Sequence, residues 1–355
     1  FVIDSHADTN IVKKSFNYFI RQNPCILAIS LDVKNNTNDF LNKLQEEVTY
    51  LLNKFNISKI IITGFSGGAR MAFYYSLNSK VDASILFGAG IDPSFLTKSL
   101  NFTTIMVCGY KDFNFIETFY SPYSNLIDSP NILSIYHPGT HEWPDSLFIN
   151  EIFNLIFSKI NNKKTHNHLN IPSSIMLDDF KKYEALYKLS NSNQQYYKNQ
   201  LITLKNNMEF QNEIELFERT IKQEYYQHYF LIEALEKKSF DWWKNFYNEL
   251  MDSIKIENFI KQSYWHRIKG YVGILVYSKL NSFYNNNEFN NLFKKILEIY
   301  KLFEPDNKEM KYFEALYFYK NGNYEKAKII LNDLISKNFT NFNRIKKDFS
   351  RLNFE

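Results

Sequence analysis

The chain has few of the residues that staple or punctuate small folds. It has two cysteines, ten glycines and eight prolines in 355 residues. Two cysteines cannot build a disulfide framework. Cys25 and Cys108 both fall in apolar, strand-like runs, so both are expected to be buried free thiols. The scarcity of glycine and proline excludes collagen-like and Pro/Gly-rich low-complexity chains. No apolar run approaches the length of a membrane span. No signal peptide is visible, and a start at Phe1, almost at once in a strand, reads as processed or truncated. Cytoplasm and export therefore both stay open. Net charge is only +4, too mild to argue for a nucleic-acid partner.

Aromatic residues, by contrast, are abundant. They make up 17% of the chain, with 33 Phe and 25 Tyr, and hydrophobic residues reach 45%. Such a chain can bury a sizeable core, and its length allows two domains. Residues 1–160 hold 12 Lys and Arg against 14 Asp and Glu, and the rest hold 30 against 24. The positive excess therefore lies in the second part.

One stretch organises the first part. Ile60, Ile61, Ile62 and Thr63 form an apolar β-branched run that meets Gly64-Phe65-Ser66-Gly67-Gly68. A helix-compatible run follows from Ala69 to Leu77. A strand, a Gly-x-Ser-x-Gly turn and a helix, in that order, make a nucleophile elbow. The serine takes a strained conformation that exposes its hydroxyl. The flanking glycines leave room for the turn. The helix behind it aims free N–H groups and a positive dipole end at a reacting oxygen.

Partners for the serine follow in order. Thr103 to Cys108 reads as a buried strand, and Asp112 lies just past it. Ile132 to Tyr136 reads as another, leading to His137-Pro138-Gly139-Thr140-His141-Glu142-Trp143-Pro144. The order Ser, Asp, His and the run Gly139 to Pro144 resemble the α/β-hydrolase superfamily, especially its dienelactone hydrolase-like and depolymerase- or feruloyl esterase-like branches. The resemblance covers residues 1 to about 160.

It implies Ser66 as nucleophile, His141 as general base and then acid, and Asp112 as the group that orients the imidazole. The amide of Gly67 is one oxyanion donor. The resemblance places a second after the first strand, at Ala7 or His6. His137 competes as base, and Glu117 and Asp128 compete as acid. Glu142 reads as a solvated or supporting carboxylate, and Arg70 as a surface or ion-pair residue. The seven His and two Cys show no metal-ligand spacing, and the chemistry needs no cofactor.

Around these residues, continuous apolar strands alternate with helical runs: a strand at Phe1–Ile3, a helix at Val12–Arg21, a strand at Cys25–Leu31, and a helix from Asp39 to about Phe55 capped by Asn38 or Asp39. A strand at Ala83–Phe87 and a helix from about Pro144 to Ile160, with Pro144 in its first turn, complete the set. The fold class is α/β, a parallel sheet covered on both faces. The resemblance makes it a three-layer αβα hydrolase domain whose strands upstream of Phe1 either precede it or are absent.

Residues 161–174 are polar and aperiodic, as a linker would be. From 175 to 355 the pattern is helical throughout. Ala315, Phe318, Gly322, Tyr324, Ala327 and Leu331 match a tetratricopeptide helix–turn–helix. Leu280, Phe283, Asn287, Phe289, Leu292 and Ile296 occupy similar places 35 residues earlier, and Phe210 to Ile260 reads as degenerate hairpins. This all-α region resembles tetratricopeptide repeats, which offer a surface to a protein partner.

Two functions fit these features. One is a serine hydrolase acting on a small-molecule or polymer-linked carboxylic ester. The other is an interaction module whose repeats bind a partner while the first domain serves as scaffold.

Overall fold

The structure is a computed structural model. It describes residues 1–4, 9–22, 25, 28–30, 37–91, 100–119, 132–137, 139–160, 208–256, 258–337, 339, 342–350 and 352. Two compact units emerge, Phe1–Ile221 and Lys222–Glu355. The linker expected over 161–174 lies outside the described residues.

The first unit is a mixed α/β fold built on a parallel sheet. Its described strands are β1 (Val2–Asp4), β2 (Ile29–Ser30), β3 (Ile61–Phe65), β4 (Ala83–Phe87), β5 (Thr103–Gly109) and β6 (Ile132–His137). Their spatial order is β2-β1-β3-β4-β5-β6, and every neighbouring pair is parallel. Parallel strands need crossovers, and helices supply several of them: α1 (Thr9–Gln22), α2 (Thr37–Lys54) and α3 (Gly67–Asn78). A short α4 (Phe115–Phe119) follows β5, and α5 (Ser146–Ile160) follows β6.

Helical spacing decides what each helix covers. Val12, Phe16 and Phe19 make one stripe on α1, and Phe148, Ile149, Ile152, Phe153 and Ile156 make another on α5. Both pack with Val2, Phe65, Ile85, Phe87, Ile105 and Val107 on one sheet face. On the other face Phe40, Leu44 and Val48 of α2 and Ala69, Ala72 and Phe73 of α3 pack with Ile3, Ile62, Leu86 and Met106. Alternate strand residues thus serve opposite faces. Each fully buried Val, Leu, Ile, Phe or Met among them contributes about 2 kcal/mol.

The strand order also positions the site. From β1 the chain steps to β2 on one side and then crosses to β3 on the other. Such a switch point opens a crevice outside the carboxyl ends of β1 and β3. Ser66 follows β3 directly.

Three local expectations are corrected. Cys25 is exposed, not buried. The apolar run around it enters the sheet only at Ile29–Ser30 among the described residues. Helix α2 begins at Thr37, so Asn38 and Asp39 lie inside its first turn and are not its cap. Helix α5 begins at Ser146, beyond Pro144. Its cap is Asp145, whose Oδ1 accepts from the amides of Leu147 (2.9 Å) and Phe148 (3.0 Å), satisfying donors a proline could not.

The second unit is helical among its described residues. Helix α6 (Met208–Lys237) enters it and is followed by α7 (Phe240–Ile254), α8 (Phe259–Asn285), α9 (Asn291–Phe303), α10 (Lys308–Lys320), α11 (Tyr324–Ser336) and α12 (Phe342–Asp348). Side-chain caps open α7 to α11: Ser239, Asn258, Asn290, Asn307 and Asn323 each accept amides of the first turn. The hairpins α8–α9 and α10–α11 turn alike. The amide of Glu288 donates to Phe283 O, and that of Asn323 donates to Phe318 O, both at 2.9 Å. Asn287 and Gly322, at φ 56° and 81°, occupy the left-handed position of each turn, as a Schellman cap requires.

One buried ion pair stands out in this unit. Arg267 Nε donates to Glu224 Oε1 and Oε2 at 3.0 and 2.8 Å, and both side chains are sealed from solvent. Among the described residues no helix is long and apolar enough to cross a membrane.

Candidate active site

Ser66 sits between β3 and α3 with φ 53° and ψ −117°, a region costly for any L-residue other than glycine. The surroundings hold it there. Its amide donates to Phe87 O at 2.8 Å, and its carbonyl accepts from the amides of Ala69 and Arg70. A Cβ on Gly64 would strike the Gly68 backbone, and one on Gly68 would strike Ile3 O. Strand, turn and helix thus approach more closely than side chains at these positions would permit. Gly67 opens α3, where the first amides of a helix lack an intrahelical acceptor.

Two further strand ends bring the partners. His141 Nε2 lies 3.0 Å from Ser66 Oγ. His141 Nδ1 lies 2.9 and 3.0 Å from the two carboxylate oxygens of Asp112. Asp112 is only 1% exposed and His141 19%, so the carboxylate is shielded while the imidazole reaches the surface. Phe65 and Phe113 flank the imidazole, with ring centroids at 4.7 and 4.3 Å. Trp143 packs on Phe16, Phe65 and Phe87 and ties the turn that carries His141 to the sheet core.

The competing residues that the structure describes sit elsewhere. His137, the last residue of β6, is buried against Phe148. Its Nδ1 accepts from the Gly139 amide at 3.1 Å. Burial pulls its pKa down to about 4, against the opposing charges of Asp112, Glu142 and Asp145. Glu117 is exposed and binds Arg70 Nη2 at 2.9 and 2.7 Å. Glu142 is exposed and accepts from the Thr140 amide at 3.3 Å. Asp128, His6 and Ala7 lie outside the described residues. Among the described residues no group of three or more His, Cys, Asp or Glu could hold a metal ion.

Sequence reasoning missed two residues at this site. Gly88, at φ 62°, closes β4; a Cβ there would come within 3.3 Å of Asp112 Oδ2 and of His141 Cε1. Asn114 follows the acid by two positions. Its amide donates to Asp112 Oδ1 at 2.8 Å and its side chain donates to Gly88 O at 2.7 Å. The available signal was the habit of Asp side chains to accept the amide two residues on.

This Ser–His–carboxylate array can move a proton from a hydroxyl to an imidazole. No protein-family model matches the chain, and a search of curated proteins finds no match. Among solved structures, the crystal structure of an uncharacterized protein from Bacillus cereus ATCC 10987 aligns at 20% identity with a TM-score of 0.37. The alignment covers 46% of this chain and 59% of that one. A likeness that slight carries no argument about fold or activity.

Proposed function

We propose that the first unit is a serine hydrolase of the α/β-hydrolase type, cleaving carboxylic esters through an acyl-enzyme. The observation that carries this reading is the continuous hydrogen-bond line from Ser66 Oγ through His141 to Asp112, set on a turn strained at the serine. Strain of this kind costs roughly 1–3 kcal/mol and persists where the surroundings over-determine it.

In this mechanism Ser66 Oγ attacks the ester carbonyl carbon and passes its proton to His141 Nε2. The oxyanion forms near the Gly67 amide at the amino end of α3. The intermediate collapses, the C–O bond to the alcohol breaks, and His141 returns the proton to the leaving oxygen. Water then repeats the sequence on the acyl-enzyme and frees the acid. Asp112 keeps the imidazole in the tautomer that faces Ser66 and stabilises its cation. None of these steps needs a metal or an organic cofactor.

The second unit is tetratricopeptide-like in this reading. The paired Schellman turns 35 residues apart support it, while α6 and α8, at 30 and 27 residues, are longer than that repeat's helices. A protein partner is the occupant such repeats would take.

A fluorophosphonate probe tests the enzymatic reading, because it labels only an activated serine. Wild-type protein should be labelled and should hydrolyse a simple aryl ester. Ser66→Ala should lose both, with kcat down on the order of 10⁶-fold. Retention of most turnover in that variant would sink the proposal.

A further inference from the structure

We propose that Asn114 is a positioning residue that holds Asp112 in line with His141. This rests on the hydrolase reading of the site. The acid stands on an irregular turn between Gly109, the last residue of β5, and Phe115, the first of α4. Backbone bonds fasten that turn toward β6. Tyr110 N donates to His137 O at 2.9 Å and Lys111 N to Gly139 O at 3.2 Å. On the opposite side, toward β4, the tie is a side chain. Asn114 Nδ2 donates to Gly88 O at 2.7 Å.

The two ends of that tie explain why it matters. Gly88 is itself held to β5 through its amide, which donates to Val107 O at 2.7 Å. It borders the space where Asp112 Oδ2 and His141 Cε1 meet. Asn114 is 5% exposed, so water cannot readily replace its amide. Its own backbone N–H fixes Asp112 Oδ1 at 2.8 Å. One residue therefore clamps the turn to the strand end and sets the carboxylate's rotation. Both carboxylate oxygens then face His141 Nδ1, at 2.9 and 3.0 Å.

A short amide is needed at this position. Alanine leaves the buried Gly88 carbonyl without its donor. Aspartate keeps the shape but turns an acceptor toward an acceptor. Asn114 makes no hydrogen bond to Ser66 or His141 among the described residues, so it acts through Asp112.

The test compares Asn114→Ala and Asn114→Asp with wild type in the full chain. A slack carboxylate should lower kcat by about 10- to 100-fold, as small misplacements of catalytic groups do. KM on an aryl ester should stay within about two-fold, because the clamp does not reach the ester. A deshielded His141 Nδ1–H resonance is expected in wild type from the 2.9 and 3.0 Å contacts with Asp112, and it should weaken in both variants. Melting curves followed by circular dichroism check folding, and Asn114→Asp decides the question should the alanine variant unfold. A kcat within about two-fold of wild type in a folded variant overturns the proposal. So does a loss confined to KM, or unfolding of both variants, which would make Asn114 purely structural. Those results leave wild-type fluorophosphonate labelling intact. Wild type that resists the probe instead removes the hydrolase reading, and the clamp's role goes with it.

Discussion

Each unit buries a carboxylate near a histidine, and only one lines that histidine up with a serine hydroxyl. In the sheet unit Asp112 bonds His141 Nδ1, and the other ring nitrogen reaches Ser66. In the helical unit Glu224 is taken by Arg267. His228 Nε2 stands 3.9 Å from Glu224, and its ring stacks on Tyr271 with centroids at 3.6 Å and planes 6° apart. The residue types are similar and the consequences opposite. The sheet gathers loop ends at one edge, where a half-shielded imidazole meets solvent. The helices close over the Glu224–Arg267 pair and seal it from solvent. Nearness of an acid and a histidine is therefore weak evidence of chemistry; the third group and the open side decide.

The comparison breaks first at Asp112. Asp112→Asn should cut kcat by ~10⁴-fold with little change in substrate binding. Glu117→Gln should stay near wild type, because Glu117 faces Arg70. Steady-state kinetics on both variants checks this. The reverse pattern would move the acid assignment to Glu117 and leave the serine in place.

A loss of stability should answer in the helical unit. Glu224→Gln leaves Arg267 buried without its countercharge, and such breaks cost about 3–5 kcal/mol. Denaturant melts should show this, and the double replacement Glu224→Leu with Arg267→Met should recover most of it. A single variant as stable as wild type would mean the pair is not sealed.

Acid should act on both units in one window. Burial lowers His137 and His228 from the usual 6.5 to about 4, with Arg267 also opposing charge on His228. Between about pH 6.5 and 4 the unfolded chain binds protons the folded chain refuses, so stability falls as pH falls. Summed over that window, each histidine accounts for on the order of a few kcal/mol of the stability lost. His137→Phe and His228→Phe should each flatten the pH dependence of the melting midpoint. Unchanged slopes would mean that neither ring is held neutral.

The smallest effect sharpens the likeness of the two hairpins. Asn287 and Gly322 hold equivalent left-handed positions. Asn287→Gly should be neutral or stabilising by less than about 1 kcal/mol, and Gly322→Ala should cost about 1 kcal/mol. Equal losses in both variants would mean the two turns differ.

Much of this was legible in the chain itself. The β-branched run at Ile60–Thr63 and the spaced glycines at 64 and 68 announce a strand, a tight turn and a helix, since torsion preferences and close approach act over a few residues. The stripes Val12–Phe16–Phe19 and Phe40–Leu44–Val48 announce their buried faces for the same reason. The fate of Cys25 was hidden. An apolar run reads alike whether the sheet takes all of it or, as here among the described residues, only Ile29 and Ser30. The start of α5 was set two residues early because Pro144 suits a first turn, whereas the Asp145 side chain caps the helix and starts it at Ser146.

Local sequence alone determined where a strained serine could stand, which segments are strand or helix apart from their ends, and how the 35-residue hairpin turns. Tertiary structure alone decided what meets that serine. His141 lies 75 residues from Ser66 and 29 from Asp112, and three histidines or carboxylates competed for those roles on spacing grounds. Pairing β3 to β4, β4 to β5 and β5 to β6 aligns the strand ends and brings His141 and Asp112, rather than His137 or Glu117, to Ser66. The same holds for Asn114 on Gly88, 26 residues away, and for Glu224 on Arg267, 43 away. Torsions and helical faces are set by neighbours in the chain, whereas a side chain's partner is set by which elements pack together.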